Sequence, residues 1–360
     1  MLDVRRKCRH GRDCARAKSP PVGGRPFGHS APTLRKTKTS LMPSEDVLQA
    51  SLDPSSARVI DLKPSLRARC LNAAFRRLVK KRAVRSFDVE AARHLIAQLD
   101  RWLGTGGHVR RAAVDAGGIP AAWITGRARA GRRVLLYLHG GGFMMRSPRL
   151  HSRLAARLCD LLGARALLPW YRLAPEHALP AAHEDCFRAY AWLRAQGCRP
   201  EEIVVAGDSA GGLLALATLQ RIRDAGLSPP ACGVLFSPGC DLSAIEEAAA
   251  AAGGDPLISA DLLRLLERIV VAPIDPRDPA ISPCAGSLAG LPPLLIQVGS
   301  TEALLGQSRR AAAMARAAGG QAELQVFGQM PHVFQVVPWL PEARHALTMV
   351  QRFVDSNVPG

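Results

Sequence analysis

The residues Gly207-Asp208-Ser209-Ala210-Gly211-Gly212 fit the pattern G-x-S-x-G, with a β-type run before them and a helical pattern after them. Small residues on both flanks let the chain turn sharply, so Ser209 projects at a strand end beside a helix N-terminus, whose N–H groups favour developing negative charge. A serine alcohol placed there is suited to nucleophilic attack on an acyl carbon. Acyl transfer creates an oxyanion, and His139-Gly140-Gly141-Gly142-Phe143, at the end of an earlier β-type run, supplies consecutive glycines whose backbone N–H groups no side chain screens. Gly141, Gly142 and Ala210 are the expected donors, each worth about 3–4 kcal/mol when aimed at the transition state. His139, Gly140 and Asp208 are expected to support them.

The alcohol needs a base and the base needs an orienting carboxylate. His332, in GQMPHVF after the final β-type run, follows Ser209 in the order nucleophile, acid, histidine, whereas His151, His177 and His183 precede it and are expected to be structural. Glu302, in QVGSTEALL, occupies the expected place of the acid. Asp241 after the preceding run, and Asp275 or Asp278 in IDPRDPAISP, are its competitors.

These residues hang on alternating elements. Apolar β-type runs begin at Val134, Ala166, Ile203, Cys232, Pro293 and Glu323, and helical patterns fall near 149–162, 181–196, 211–225, 306–318 and 341–354. Such alternation implies βα units around a mostly parallel sheet, an α/β fold. The stretch 243–271 breaks the rhythm and reads as inserted helices over the top of the sheet. Upstream, apolar residues recur at helical spacing from Leu66 to Val79 with Arg67, Arg76, Arg77, Lys80 and Lys81 mostly opposite. A second helix follows the cap residue Asp88. The expected organisation is a disordered basic tail over 1–41, an N-terminal helical cap segment over 42–105 and a catalytic domain over 106–360.

The net charge of +18 resembles that of a nucleic-acid protein until it is located: residues 1–41 carry +9, residues 42–105 carry +5, and the remainder only +4. Nucleic-acid binding by the main domain is therefore not expected. No run of about 18 apolar residues occurs, which excludes a spanning helix. Nine cysteines without CxxC pairs read as free thiols, and the absence of an apolar stretch behind Arg5 and Arg6 argues against a signal peptide. A cytoplasmic location follows as the expectation. A metal site is not expected either.

Taken in order, HGGGF, YRLAPEHALPAA, GDSAGG, DPRDPAISP, GSTEALL and MPHVF resemble the bacterial hormone-sensitive-lipase-like esterases of the α/β-hydrolase superfamily, over roughly residues 58–355. Within that family the chain looks like the branch of acetylhydrolases and monoterpene lactone hydrolases. The resemblance implies an α/β-hydrolase fold with an eight-stranded, mostly parallel sheet flanked by helices, a helical cap, no cofactor, and hydrolysis of short-chain carboxylic esters, acetyl esters or lactones among them. The partner is then a small-molecule ester; a homodimer is left open. A catalytically silent ligand receptor on the same fold is the alternative. Two positions depart from the family pattern: Glu302 stands where Asp is usual, and Arg146 where many members carry Gly. Deleting residues 1–41 is expected to leave turnover per folded molecule unchanged, which active-site-titrated rates of the truncated and full chains would check.

Overall fold

The computed structural model describes residues 58–60, 63–78, 88–103 and 108–358, all within one compact unit. The expected tail over 1–41 and residues 42–57 of the expected cap segment lie outside the described residues. Among the described residues a single sheet has the order β1-β9-β8-β7-β6-β4-β5-β3-β2. Its centre comprises β4 (Val134–Leu138), β5 (Arg165–Pro169), β6 (Ile203–Asp208), β7 (Cys232–Phe236), β8 (Leu294–Gly299) and β9 (Ala322–Phe327), all parallel. At one edge β2 (Arg110–Asp115) and β3 (Pro120–Thr125) form an antiparallel hairpin, with β3 antiparallel to β5. Eight strands make the sheet that the resemblance implies. A ninth, the three-residue β1 (Arg58–Ile60), adds to it in parallel beyond β9.

The central runs are continuously apolar because both faces of the sheet are covered. In β4, Leu136 and Leu138 point to one core with Val205, Leu235 and Ile296, while Leu135 and Tyr137 point to the other with Val204, Val234 and Leu295. The first core is closed by α4 (Pro180–Ala195), α5 (Ala210–Asp224) and α8 (Leu305–Ala317), the second by α3 (Pro148–Leu162) and α9 (Pro341–Asn357). Proline opens α3, α4 and α9, where its missing N–H costs nothing, and Gly163 ends α3 in the left-handed region at φ 59°.

Two short helices, α6 (Ile245–Ala251) and α7 (Ala260–Leu266), fill the insertion between β7 and β8. Upstream of the sheet, α1 (Leu66–Leu78) starts at Ser65, whose hydroxyl accepts from Ala68 N–H, and α2 (Val89–Leu103) starts at Asp88, whose carboxylate accepts from Glu90 N–H. The buried Asp100 of α2 docks on the catalytic unit, accepting from the N–H groups of Arg149 and Leu150 at 2.9 and 2.8 Å. It thereby satisfies two of the orphan donors of α3. Asp100→Ala is expected to cost about 1–2 kcal/mol by analogy with loss of an N-cap, measurable as a lower denaturant midpoint with unchanged slope.

Candidate active site

The geometry of the candidate site starts with how closely β4, β6 and α5 approach. A Cβ on Gly207 would lie 2.1 Å from the Gly211 carbonyl, and one on Gly211 would lie 2.1 Å from the Leu138 carbonyl. Only glycine fits. Between them Ser209 takes φ 54°, ψ −120°, a strained conformation for a residue with a side chain, held by its N–H to the Phe236 carbonyl at 2.8 Å. Its half-buried side chain stands at the C-terminal end of the parallel strands, where α5 begins.

The loop after β4 is shaped by Gly141 at φ 123°, Gly142 at φ 60° and Phe143 at φ 60°. Among the described residues, the N–H groups of Gly141 and Gly142 have no acceptor in the main chain. Ala210, as first residue of α5, has no helical partner for its own N–H. Beneath the loop a Gly140 Cβ would sit 2.3 Å from Asp208 Oδ2. Asp208 is buried, accepts from the Tyr137 hydroxyl at 2.7 Å, and lies 3.6 Å from His151 Nε2. Burial works against its charge, but the neighbouring His151 and the Tyr137 hydrogen bond prevail and lower its pKa. His139 stacks on Tyr171 with ring centroids 4.2 Å apart, and Tyr171 donates to the His139 carbonyl at 2.6 Å. Burial, aided by His151, lowers the His139 pKa to about 3, so this ring is neutral and structural.

The structure brings His332 and Glu302 together. Nδ1 of His332 is 2.8 Å from Glu302 Oε2, both side chains being buried. Burial disfavours the imidazolium, yet the hydrogen bond and charge of Glu302 outweigh it and raise the His332 pKa above its ordinary value. Glu302 Oε1 accepts from Gly299 N–H and, at 2.8 Å, from the Ser237 hydroxyl. That hydroxyl also accepts from Val333 N–H at 3.2 Å, so Ser237, at φ 47°, joins the acid to the residue after the histidine. Asp255, in the insertion, accepts from Ala303 N–H at 2.9 Å and so fixes the turn that carries Glu302. Neither Ser237 nor Asp255 stood out in the sequence. Each is a lone polar residue after an apolar run or inside an insertion, with no motif spacing to single it out.

The competing carboxylates are engaged elsewhere. Asp241 caps its own turn through Ser243 and pairs with Arg310. Asp275 and Asp278 are exposed and accept from Arg277 and Ala280 N–H groups. His183 lies between the Leu179 and Ile281 carbonyls, with burial lowering its pKa to about 4, and His177 is exposed. Arg172 grips the buried Asp185 in a bidentate pair, while Glu176 pairs with Arg93 of α2, which also donates to the Met144 carbonyl just beyond the glycine loop. Arg146 donates to the Tyr171 carbonyl at 2.8 Å, tying the glycine-loop segment to the YRLAP turn.

The sequence matches the family described as alpha/beta hydrolase fold over residues 135–336. An acetyl-hydrolase of Streptomyces hygroscopicus is 43% identical over 244 residues, which is 67% of this chain and 81% of that protein. The chain belongs to the hormone-sensitive-lipase-like esterases of the α/β-hydrolase fold. This esterase, a carboxylic ester hydrolase, is also 40% identical to the carboxylesterase/phospholipase LipF of Mycobacterium tuberculosis over 230 residues, 62% of this chain and 61% of that one. The crystal structure of an esterase from the bacterial hormone-sensitive lipase family superposes with a TM-score of 0.76 at 34% identity, covering 83% of this chain and all of the other. In the esterase, Gly140→Ala is expected to displace the glycine loop through its clash with Asp208, lowering turnover of an activated ester by more than tenfold. Parallel thermal denaturation would show how far the clash is relieved by loosening the fold.

Proposed function

We propose that this esterase works through an acyl-serine intermediate on Ser209, with His332 as base and Glu302 as its orienting acid. The observation that carries the reading is the 2.8 Å pairing of His332 Nδ1 with Glu302, which fixes the ring and leaves Nε2 as the nitrogen that takes the serine proton. Ser209 Oγ attacks the ester carbonyl carbon as its proton passes to Nε2. The carbonyl π electrons move onto oxygen, and the N–H groups of Gly141, Gly142 and Ala210 hold the resulting oxyanion. Its collapse expels the alcohol, which takes the proton from Nε2. A water then attacks the acyl-serine by the same relay and the acid leaves, restoring Ser209.

The glycine loop is preorganised for this role, since among the described residues its donors have no main-chain acceptor that would have to be released. Ser237 and Gly299 supply donors to the second oxygen of Glu302 and so keep it ionised and correctly turned. The N-terminal segment 42–105 and the insertion near 243–271 act as a cap. Leu266 at the end of α7 supports that role, because its side chain lies 3.3 Å from where a Gly142 Cβ would stand. A pocket roofed by such a cap would suit short acyl groups, of about two to six carbons. The seven unpaired cysteines among the described residues suit a reducing, cytoplasmic setting.

Ser209→Ala is expected to cut turnover by about a million-fold, as removal of a triad nucleophile does elsewhere, while leaving the thermal transition in place. An activated phosphonate ester should add its mass to the peptide bearing Ser209 in the wild type alone. Retained turnover, or labelling at another residue, would contradict the assignment. A series of p-nitrophenyl esters tests the acyl preference, and higher kcat/KM on long-chain esters would overturn it.

A further inference from the structure

The outward surface of α1 carries features that neither folding nor the chemistry of the site requires. Ala68 is its buried contact, with Leu71, Asn72 and Phe75 half-buried beside it, so the opposite face looks to solvent with Leu66, Cys70, Ala73 and Arg77 along its centre and Arg67, Arg69 and Arg76 at its flanks. Leu66 is 72% exposed, and Trp339, whose carbonyl accepts from the neighbouring Arg67, is 46% exposed. With Lys63 just upstream, this patch holds five cations, and α1 contains no acidic residue. Arg67 and Arg76 donate only to the carbonyls of Trp339 and Gly254, and none of the five cations pairs with a carboxylate among the described residues. Glu342, which accepts from Ser65, and Asp255, next to the Gly254 that Arg76 reaches, are buried and engaged, the latter by Leu257, Ile258 and Ala303.

Only some of these cations serve the helix. Arg76 and Arg77 stand in its last turn, where the helix dipole favours positive charge, but Arg67 and Arg69 stand in its first turn, where it favours negative charge. Pairing within the chain would leave the patch positive. Residues 1–41 carry +9, and residues 79–87 hold Lys80, Lys81, Arg82 and Arg85 with no acid, so charge disfavours either segment as a cover for α1; the upstream acids Glu45, Asp46, Asp53 and Asp61 are four against the five cations and would not neutralise it. A second copy would present the same positive face. What complements leucine and tryptophan set among unpaired guanidiniums is an anionic surface with an apolar layer beneath it: apolar side chains enter, and arginines extend to the phosphates.

We propose that α1, with Lys63 and Trp339, docks the esterase peripherally on anionic lipid membranes. No described helix is long and apolar enough to cross one, so the contact lies in the plane of the surface. Its place gives the contact a use. Asn72 of α1 donates to the Gln329 carbonyl at 2.7 Å, three residues before His332, and Arg76 reaches Gly254 of the insertion. The docking face therefore lies at the same end of the sheet as Ser209, and lipid-dissolved esters would meet that end first.

The test uses the full chain and vesicles of phosphatidylcholine, with and without phosphatidylglycerol. The wild type is expected to float with the phosphatidylglycerol vesicles, to stay off the neutral ones and to be released by salt. Arg69→Gln with Arg77→Gln should weaken this partition about thirty-fold, whereas lysine at both positions should retain it. Leu66→Gln should weaken it as well. Leu227→Gln, which alters a 43% exposed leucine at the opposite end of the sheet, should leave it unchanged. Turnover of a soluble activated ester, unchanged in all of these variants, shows that they are folded. The proposal is overturned if the double glutamine variant partitions like the wild type, which would assign binding to another basic segment, or if neutral vesicles bind equally. Failure to bind vesicles also overturns it; retention of polyglutamate by the same arginines would then indicate an acidic protein partner, and a change of mass in Leu66→Gln by light scattering would indicate self-association.

Discussion

A carboxylate and an imidazole buried side by side are tolerable only if nearly every polar atom of the pair has a partner, and the Glu302–His332 contact meets that demand from three adjacent strands. After β7, Ser237 gives its hydroxyl; at the end of β8, Gly299 gives its N–H to the residue three positions on; after β9 comes the histidine itself. The order β9-β8-β7-β6 places those three strand ends next to the one that carries Ser209. Parallel pairing thus delivers Ser209, Glu302, His332 and the bridging Ser237 to one end of the sheet, although they span 124 positions of sequence from Ser209 to His332.

Close backbone approach is the second constraint, and it explains why so many glycines crowd this end. The elbow and the glycine loop press on one another through Gly140, Gly207 and Gly211, and Gly299 is equally tight, since a Cβ there would stand 2.0 Å from the Met330 carbonyl. The glycines are required by space, and at Gly141 and Gly142 by a positive φ as well. The buried assembly of Asp208, Tyr137, His151, His139 and Tyr171 lies under the loop, so His139 and Asp208 form part of a floor whose displacement would move the N–H groups of Gly141 and Gly142.

Much of this was legible in the sequence because apolar runs flanked by glycine carry a strong signal. All six central strands and the five helices of the sandwich stand where periodicity puts them. The β2–β3 hairpin was not read. Its strands, RRAAVD and PAAWIT, are rich in alanine and arginine, poor strand formers, and β2 is an exposed edge; the signal that could have found it is Gly117-Gly118, both at positive φ. The three-residue β1 is too short for any periodicity to mark. Buried polar bridges were hidden for a different reason. Gln297 and Gln325 interrupt apolar strands as solvent-facing residues would, yet Gln297 Nε2 donates to Gln325 Oε1 at 2.7 Å and to the Ala346 carbonyl at 2.9 Å. Partners 28 and 49 residues away are invisible to local pattern, as is the partnership of Ser237 with Glu302.

The two candidate acids differ in their partners. Asp241 and Glu302 both follow strands, and both are buried carboxylates, but Arg310 and Ser243 claim the first while His332 meets the second. The most direct measurement is the acid limb of kcat/KM against pH in the wild type and in Glu302→Gln. A base must be deprotonated to act, and Glu302 raises the His332 pKa, so the wild-type rate should fall on acidification from above the ordinary imidazole value near 6.5. Removing the charge should move that limb to lower pH while depressing the plateau. A limb that stays in place in Glu302→Gln, with the plateau intact, would contradict the account.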